Sequence, residues 1–189
     1  MIRCYITNSQ TLGARSLLDA IGRNLAAGAT WIQIREKDLS ARALFELVDA
    51  AIKLPCPHAS KIIVNTRADV AIAAGAAGVH LPSGSPPAQV WRRPGFLVGV
   101  SCHSVDDVRV AENEGADYAL FGPVFPPLSK PAGLEPHGLE GLARAAAAVR
   151  IPVLALGGVT IENSAACISA GAAGIAGISL FQELVKFDS

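Results

Sequence analysis

The chain has 189 residues, 51% of them hydrophobic, and its 16 Lys+Arg balance 16 Asp+Glu for a formal net charge of zero. That length fits one sizeable core, and the neutral charge excludes a nucleic-acid or membrane-surface partner drawn in by bulk electrostatics. Any anion must therefore be held by a local site.

Taken in chain order, the strand patterns are "IRCYIT" (2–7), "TWIQIR" (30–35), "KIIVN" (61–65), "GVHL" (78–81), "FLVGVS" (96–101), "DYALFG" (117–122), "PVLAL" (152–156) and "GIAGIS" (174–179). Ala- and Leu-bearing helical stretches separate them at 15–27, 40–53, 67–74, 86–92, 104–114, 138–149 and 161–170, with a short tail after 179. Four joints read alike, "AAGATWIQI", "AAGAAGVHL", "NEGADYALF" and "SAGAAGIAGI". Each ends a helical stretch on a glycine that can take the left-handed conformation closing a helix, and a strand follows. Several strands are apolar throughout, as expected when both faces are buried. Eight βα units predict a compact parallel (β/α)8 barrel, with one domain over 1–189. An open doubly wound sheet would not need eight comparable strands.

No apolar run reaches a membrane span of about 18 residues. The start "MIRCYITNSQ" carries no signal-peptide pattern, and Cys4, Cys56, Cys102 and Cys167 form no CxxC pair. These features predict a cytoplasmic protein with reduced thiols and no zinc site.

In such a barrel the chemistry sits at the C-terminal ends of the strands. Polar residues collect there: Thr7, Gln33, Arg35, Lys37, Asn65, His80, Ser101, His103, Lys130, Gly157, Gly158 and Ser179. In "WIQIREK" the two-residue period aims Gln33, Arg35 and Lys37 the same way, a column suited to an anion. The plainer alternative is a solvated Lys37 and an Arg35 paired with Glu36 or another barrel acid. "LGGVT" (156–160) and "GIAGIS" offer Gly157, Gly158, Gly177 and Ser179 for a phosphate, using bare amides and a short helix start; a tight turn alone would also explain the paired glycines. In "GVSCHS", Ser101 ends strand five and His103 opens the loop, where an imidazole can pass protons or simply cap. Cys102 points away from Ser101 and reads as packing, His80 as a supporting hydrogen-bond partner, and His137 as a surface residue. Lys130 stands in the one long loop, "GPVFPPLSKPAGLEPHG" (122–138), as a lid contact or a solvated cation.

The chain resembles the family of thiamine phosphate synthase and TenI-type thiazole tautomerase nearly end to end. The resemblance is carried by "QIREKDLSAR", "IIVNTRADVAIAAGAAGVHL", "GVSCHS", "GADYALFGPVFP", "GLEGLARA" and "PVLALGGVTIENS". It implies that Gln33, Arg35 and Lys37 grip a diphosphate with help from Asn65 and Lys130. It also implies that Ser101 lies near a pyrimidine and that Gly157, Gly158 and Ser179 take a thiazole phosphate. The synthase pattern has two magnesium-binding aspartates where this chain has Thr66 and Ser85, in "VNTRAD" and "HLPSGS". Mg²⁺ favours carboxylate oxygens, so the expectation is a barrel without metal or cofactor, and Mg²⁺ only if it is a synthase. With "LPSGS" and "CHS" resembling the tautomerase branch, the expected activity is isomerisation of a carboxythiazole phosphate, with His103 as the acid/base. The alternatives are thiamine phosphate synthase and a non-catalytic binder of thiazole or thiamine phosphates. The expected partner is a small phosphorylated thiazole, with a homodimer suggested by the Ala-rich outer layer.

Overall fold

Alternating side chains with apolar residues on both faces make each strand bury one row inward and one outward. The computed structural model, which describes residues 1–12, 16–126 and 135–182, shows eight such strands in a closed, all-parallel barrel in sequence order. They are β1 (Ile2–Ile6), β2 (Trp31–Ile34), β3 (Lys61–Asn65), β4 (Gly78–Leu81), β5 (Leu97–Cys102), β6 (Tyr118–Phe121), β7 (Val153–Leu156) and β8 (Gly174–Gly177). The helices are α1 (Leu17–Ala26), α2 (Ala41–Ile52), α3 (Ala68–Ala73), α4 (Val105–Asn113), α5 (Gly138–Ala147), α6 (Ile161–Ser169) and α7 (Ser179–Gln182). This is the expected (β/α)8 architecture.

The two rows form two cores. Cys4, Ile6, Trp31, Ile63, Tyr118, Leu120, Leu154 and Ala176 fill the barrel. The opposite row, including Ile32, Val64, Val79, Val98, Phe121 and Ile175, packs beneath the helices with Leu25, Val48, Val108 and Leu142. Cys102 belongs to this outer core, and burial pushes its thiol up to about 12, as suits a packing residue.

The four repeated joints turn on Gly28, Gly75, Gly115 and Gly171, whose φ angles are 80°, 71°, 87° and 98°. Each follows a helix end in a region that side chains disfavour, which explains the repeated residue. The helix starts are fixed by side chains: Ser40 caps α2, Ser104 caps α4, and Thr160 with Asn163 makes a capping box on α6.

Between β4 and β5 the expected helix 86–92 is only a 3-10 turn, Ala88–Trp91. Pro86 and Pro87 supply no amide hydrogens, and the chain reaches β5 before a full helix can propagate. A second 3-10 turn, Ser9–Thr11, was not signalled by periodicity; Asn8 caps it by accepting from the Gln10 amide. Strand β8 stops at Gly177, so Ser179 opens α7 rather than ending the strand. No helix among the described residues is long and apolar enough to cross a membrane.

Candidate active site

The inward row turns polar toward the C-terminal ends of the strands. Gln33 is 2% exposed and His80 1% exposed, both inside the barrel wall. Gln33 Nε2 donates to Asn65 Oδ1 at 3.0 Å, joining β2 to β3, and Asn65 Nδ2 donates to Thr66 Oγ1 at 2.8 Å. Among the described residues the buried Gln33 Oε1 has no partner. A buried amide oxygen left bare is costly, so it can accept from a ligand's donor.

Arg35 is half-buried, and its amide donates to Thr7 Oγ1 at 2.9 Å. Glu36 is not its partner. That carboxylate accepts from Thr7 Oγ1 at 2.6 Å, and from the Ser9 amide and hydroxyl, clamping the ends of β1 and β2 together. Among the described residues neither Arg35 nor Lys37 forms a salt bridge, which leaves both cations open to an anion. Strand β2 ends at Ile34, so the two-residue period does not carry through to Lys37. Lys37 is exposed and lines a recess of about 310 Å³ with Ile34, Glu36, Leu44, Asn65, Thr66 and Arg67. Ile34 and Leu44 belong to the outer core, so this recess lies on the outer side of the β2 and β3 ends.

His103 is exposed past the end of β5, where its Nδ1 lies 2.7 Å from the Gly122 carbonyl oxygen and its amide donates to Asp107 at 2.8 Å. A carbonyl can only accept, so Nδ1 carries the hydrogen, and among the described residues Nε2 has no partner. Ser101 is half-buried and bonds His80 Nε2 at 2.8 Å. His80 is held neutral: burial, then the Arg35 charge, push it down to about 3. His137, expected on the surface, is half-buried with its ring 4.8 Å from that of Phe121.

Gly157 and Gly158 form the loop after β7, with φ angles of 90° and 63°. A Cβ on Gly157 would lie 2.8 Å from Pro123, and one on Gly158 would strike Phe125 and the Pro126 carbonyl. The glycines thus let the end of β6 lie against the end of β7. Their carbonyls are engaged by the Phe125 amide and Asn163 Nδ2, whereas among the described residues neither glycine amide meets an acceptor. Gly177 ends β8 and Ser179 begins α7. Lys130 lies outside the described residues.

A resident Mg²⁺ does not fit this donor set. Thr66 and Ser85 offer hydroxyls; Thr66 Oγ1 accepts from Asn65, and Ser85 Oγ donates to the Pro82 carbonyl at 2.8 Å. Thr66 also sits at φ 67°, a costly conformation for a β-branched residue. Among the described residues no three His, Cys, Asp or Glu side chains converge to hold a metal.

Two features were missed in the sequence. Glu36, which the sequence offers only as an alternative counter-ion for Arg35, is a brace, and only its spacing from Thr7 across adjacent strands could have revealed this. Tyr118, in "DYALF", reaches His80 at 3.2 Å; its inward parity beside Gly99 was the available signal.

The model of the family described as thiamine monophosphate synthase matches residues 4–181. A thiamine-phosphate synthase of Chlorobium luteolum is 46% identical over 181 residues, covering 94% of this chain and 84% of the relative. A putative thiamine-phosphate synthase 2 of Aquifex aeolicus is 39% identical, covering 96% of this chain and 98% of the relative. Among solved structures, thiamine phosphate pyrophosphorylase from Pyrococcus furiosus superposes with a TM-score of 0.82 at 31% identity, covering 97% of this chain and 93% of that one. With a match this long at the level of family, relatives and fold, the chain belongs to the thiamine monophosphate synthase family.

Proposed function

We propose that this chain is a thiamine phosphate synthase, joining a pyrimidine diphosphate to a thiazole phosphate with release of pyrophosphate. Its relatives' names support the condensation over the isomerisation expected from the sequence. The observation that carries the reading is the buried Gln33 Oε1, unpartnered among the described residues, on the strand that leads into Arg35, which forms no salt bridge among them. An aminopyrimidine diphosphate satisfies both, with an amine for the amide oxygen and an anion for the guanidinium. In the reaction the thiazole nitrogen forms a bond to the pyrimidine methylene carbon as the carbon–oxygen bond to diphosphate breaks. Arg35 and Lys37 stabilise the charge leaving with pyrophosphate, and the Gly157–Gly158 amides with Ser179 hold the thiazole phosphate. Lys130 completes the cation set in this reading. No step is assigned to a protein-bound metal, since the described residues do not bring together the carboxylate donors for one.

The test supplies hydroxymethylpyrimidine diphosphate and thiazole phosphate, with and without Mg²⁺, and measures thiamine phosphate. Product should form, and Arg35→Gln should lower kcat/KM by about a hundredfold or more, the scale of one lost charge-stabilising donor. A protein that makes no thiamine phosphate under either condition overturns the reading.

A second reading, thiazole tautomerase, is favoured by one specific feature: Thr66 and Ser85, hydroxyls rather than carboxylates, stand where the synthase pattern has its metal-binding aspartates. His103, with Nε2 unpartnered among the described residues, would move the proton. Under that reading the carboxythiazole phosphate is converted and His103→Ala stops the conversion. Running both substrates side by side separates the two.

A further inference from the structure

Tyr118, Gly99 and His80 occupy one level on three adjacent strands, since Gly99 pairs in register with Tyr118 on one side and with His80 on the other. Residues at that level on β6 and β4 are two strands apart, too far for ordinary side chains to meet over an intervening one. Gly99 removes the obstacle: a Cβ there would overlap the Tyr118 ring, which lies across β5 in the space a side chain would fill. The ring also packs against Trp31, with centroids 4.6 Å apart. Tyr118 Oη thereby reaches His80 Nδ1 at 3.2 Å, and His80 Nε2 reaches Ser101 Oγ at 2.8 Å.

Two proton arrangements fit this row. In one, the Tyr118 hydroxyl donates to Nδ1, and Nε2–H donates to Ser101. In the other, Nδ1–H donates to Tyr118 and Ser101 donates to Nε2. The second strands the Tyr118 hydrogen, because Tyr118 is 0% exposed and His80 is its only hydrogen-bonding partner among the described residues. The bare Gln33 Oε1 does not meet it either. Burial also holds the phenol well above its usual ionisation range, so that hydrogen is present and must be accommodated. The first arrangement places the Tyr118 and His80 hydrogens on acceptors within the row and leaves only that of the half-buried Ser101 without one.

We infer that Tyr118 and His80 are positioning residues that fix the polarity of Ser101. By making its oxygen an acceptor for His80 Nε2–H, they free its hydrogen to donate into the barrel mouth. Ser101 then favours ligands that present an acceptor there, a ring nitrogen or an oxyanion, because its hydrogen is free to donate while one lone pair is already taken. The link from Ser101 to ligand rests on the proposed use of this mouth; the proton order in the row does not.

The experiment records ¹⁵N spectra of histidine-labelled wild type and Tyr118→Phe, which keeps the ring against Trp31 and deletes only the hydroxyl. Wild-type His80 should show a bare Nδ1 and a protonated Nε2, and the variant should populate the other tautomer. With pyrimidine diphosphate and thiazole phosphate, the variant's KM for the pyrimidine should rise about tenfold, the scale of one lost neutral hydrogen bond, with kcat changed far less. A merely structural tyrosine would leave the tautomer and KM alone at an unchanged melting temperature. A protonated Nδ1 in the wild type overturns the inference, as does a variant with wild-type tautomer and KM. An altered tautomer with unaltered KM overturns the role given to Ser101. Should Tyr118→Phe fail to fold, the wild-type tautomer decides. Absence of turnover in the wild type would count against the proposed reaction, and the spectra would still decide the proton order.

Discussion

A histidine kept from protonating changes how the whole fold responds to acid. His80 has lost access to water, and the Arg35 charge opposes its protonation, so its value falls from an ordinary 6.5 to about 3. The unfolded chain therefore binds a proton between those limits that the native chain does not, and stability falls as pH drops below about 6.5. From roughly pH 7 to pH 5 this one group should cost the fold about 2 kcal/mol. Urea unfolding of the wild type and His80→Gln at both pH values checks this. The variant should show less acid sensitivity by that amount, and equal pH dependence would mean that His80 is protonated or solvated in the native state. His80 was legible as a supporting residue from its place at the end of β4. Its partner Tyr118 was not, because an aromatic in an apolar strand reads as packing, and nothing near it in sequence reports that Gly99 on the neighbouring strand has cleared a path for its hydroxyl.

At the scale of an element, the candidate site lies in the loops after the strands, and a glycine there differs from one in a helix-to-strand joint at the other end of the barrel. Gly75 has φ 71° and open space where a Cβ would stand, whereas Gly158 has φ 63° and would collide with Phe125 and the Pro126 backbone. Gly75→Ala should cost only the left-handed strain, about 1–2 kcal/mol. Gly158→Ala should cost that plus about 1–3 kcal/mol of overpacking. It should also weaken binding of thiazole phosphate, because the β7–α6 loop that offers amides must move. Thermal melts with calorimetric titration of the phosphate ligand measure both; equal stabilities would show that the 123–126 segment yields freely. The helix-closing role of Gly75 could be read from the fourfold repeat, because helix ends have local chemistry. The packing role of Gly158 could not, since it depends on a segment more than thirty residues earlier. The same locality explains the elements. Strands and capped helices were legible within a few residues of their bounds, while 86–92 misled because its composition suits a helix but its two prolines and short span do not.

For the molecule as a whole, the barrel is closed by the seam between its first and last strands, which pair from Ile2 with Gly174 through Tyr5 with Gly177. Opening that seam would expose two strand edges and the inner core together, so closure and stability are one property. Gly174 is where the seam is tightest: a Cβ there would strike the Ile2 carbonyl, a backbone atom that cannot rotate away. Gly174→Ala should therefore force β1 and β8 apart and cost about 3 kcal/mol or more, since overpacking against backbone allows no rotamer escape. Gly22→Ala is the matching control. It sits inside α1 with its nearest neighbour Leu54 Cδ1 at 4.0 Å, and should stabilise by about 0.5–1 kcal/mol through helix propensity alone. Hydrogen exchange distinguishes seam opening from general loosening. In Gly174→Ala the amides of β1 and β8 should lose protection before those of β4 and β5 on the far side of the barrel. Uniform loss around all eight strands would mean that the barrel has no weak seam and that closure is shared equally by every strand pair.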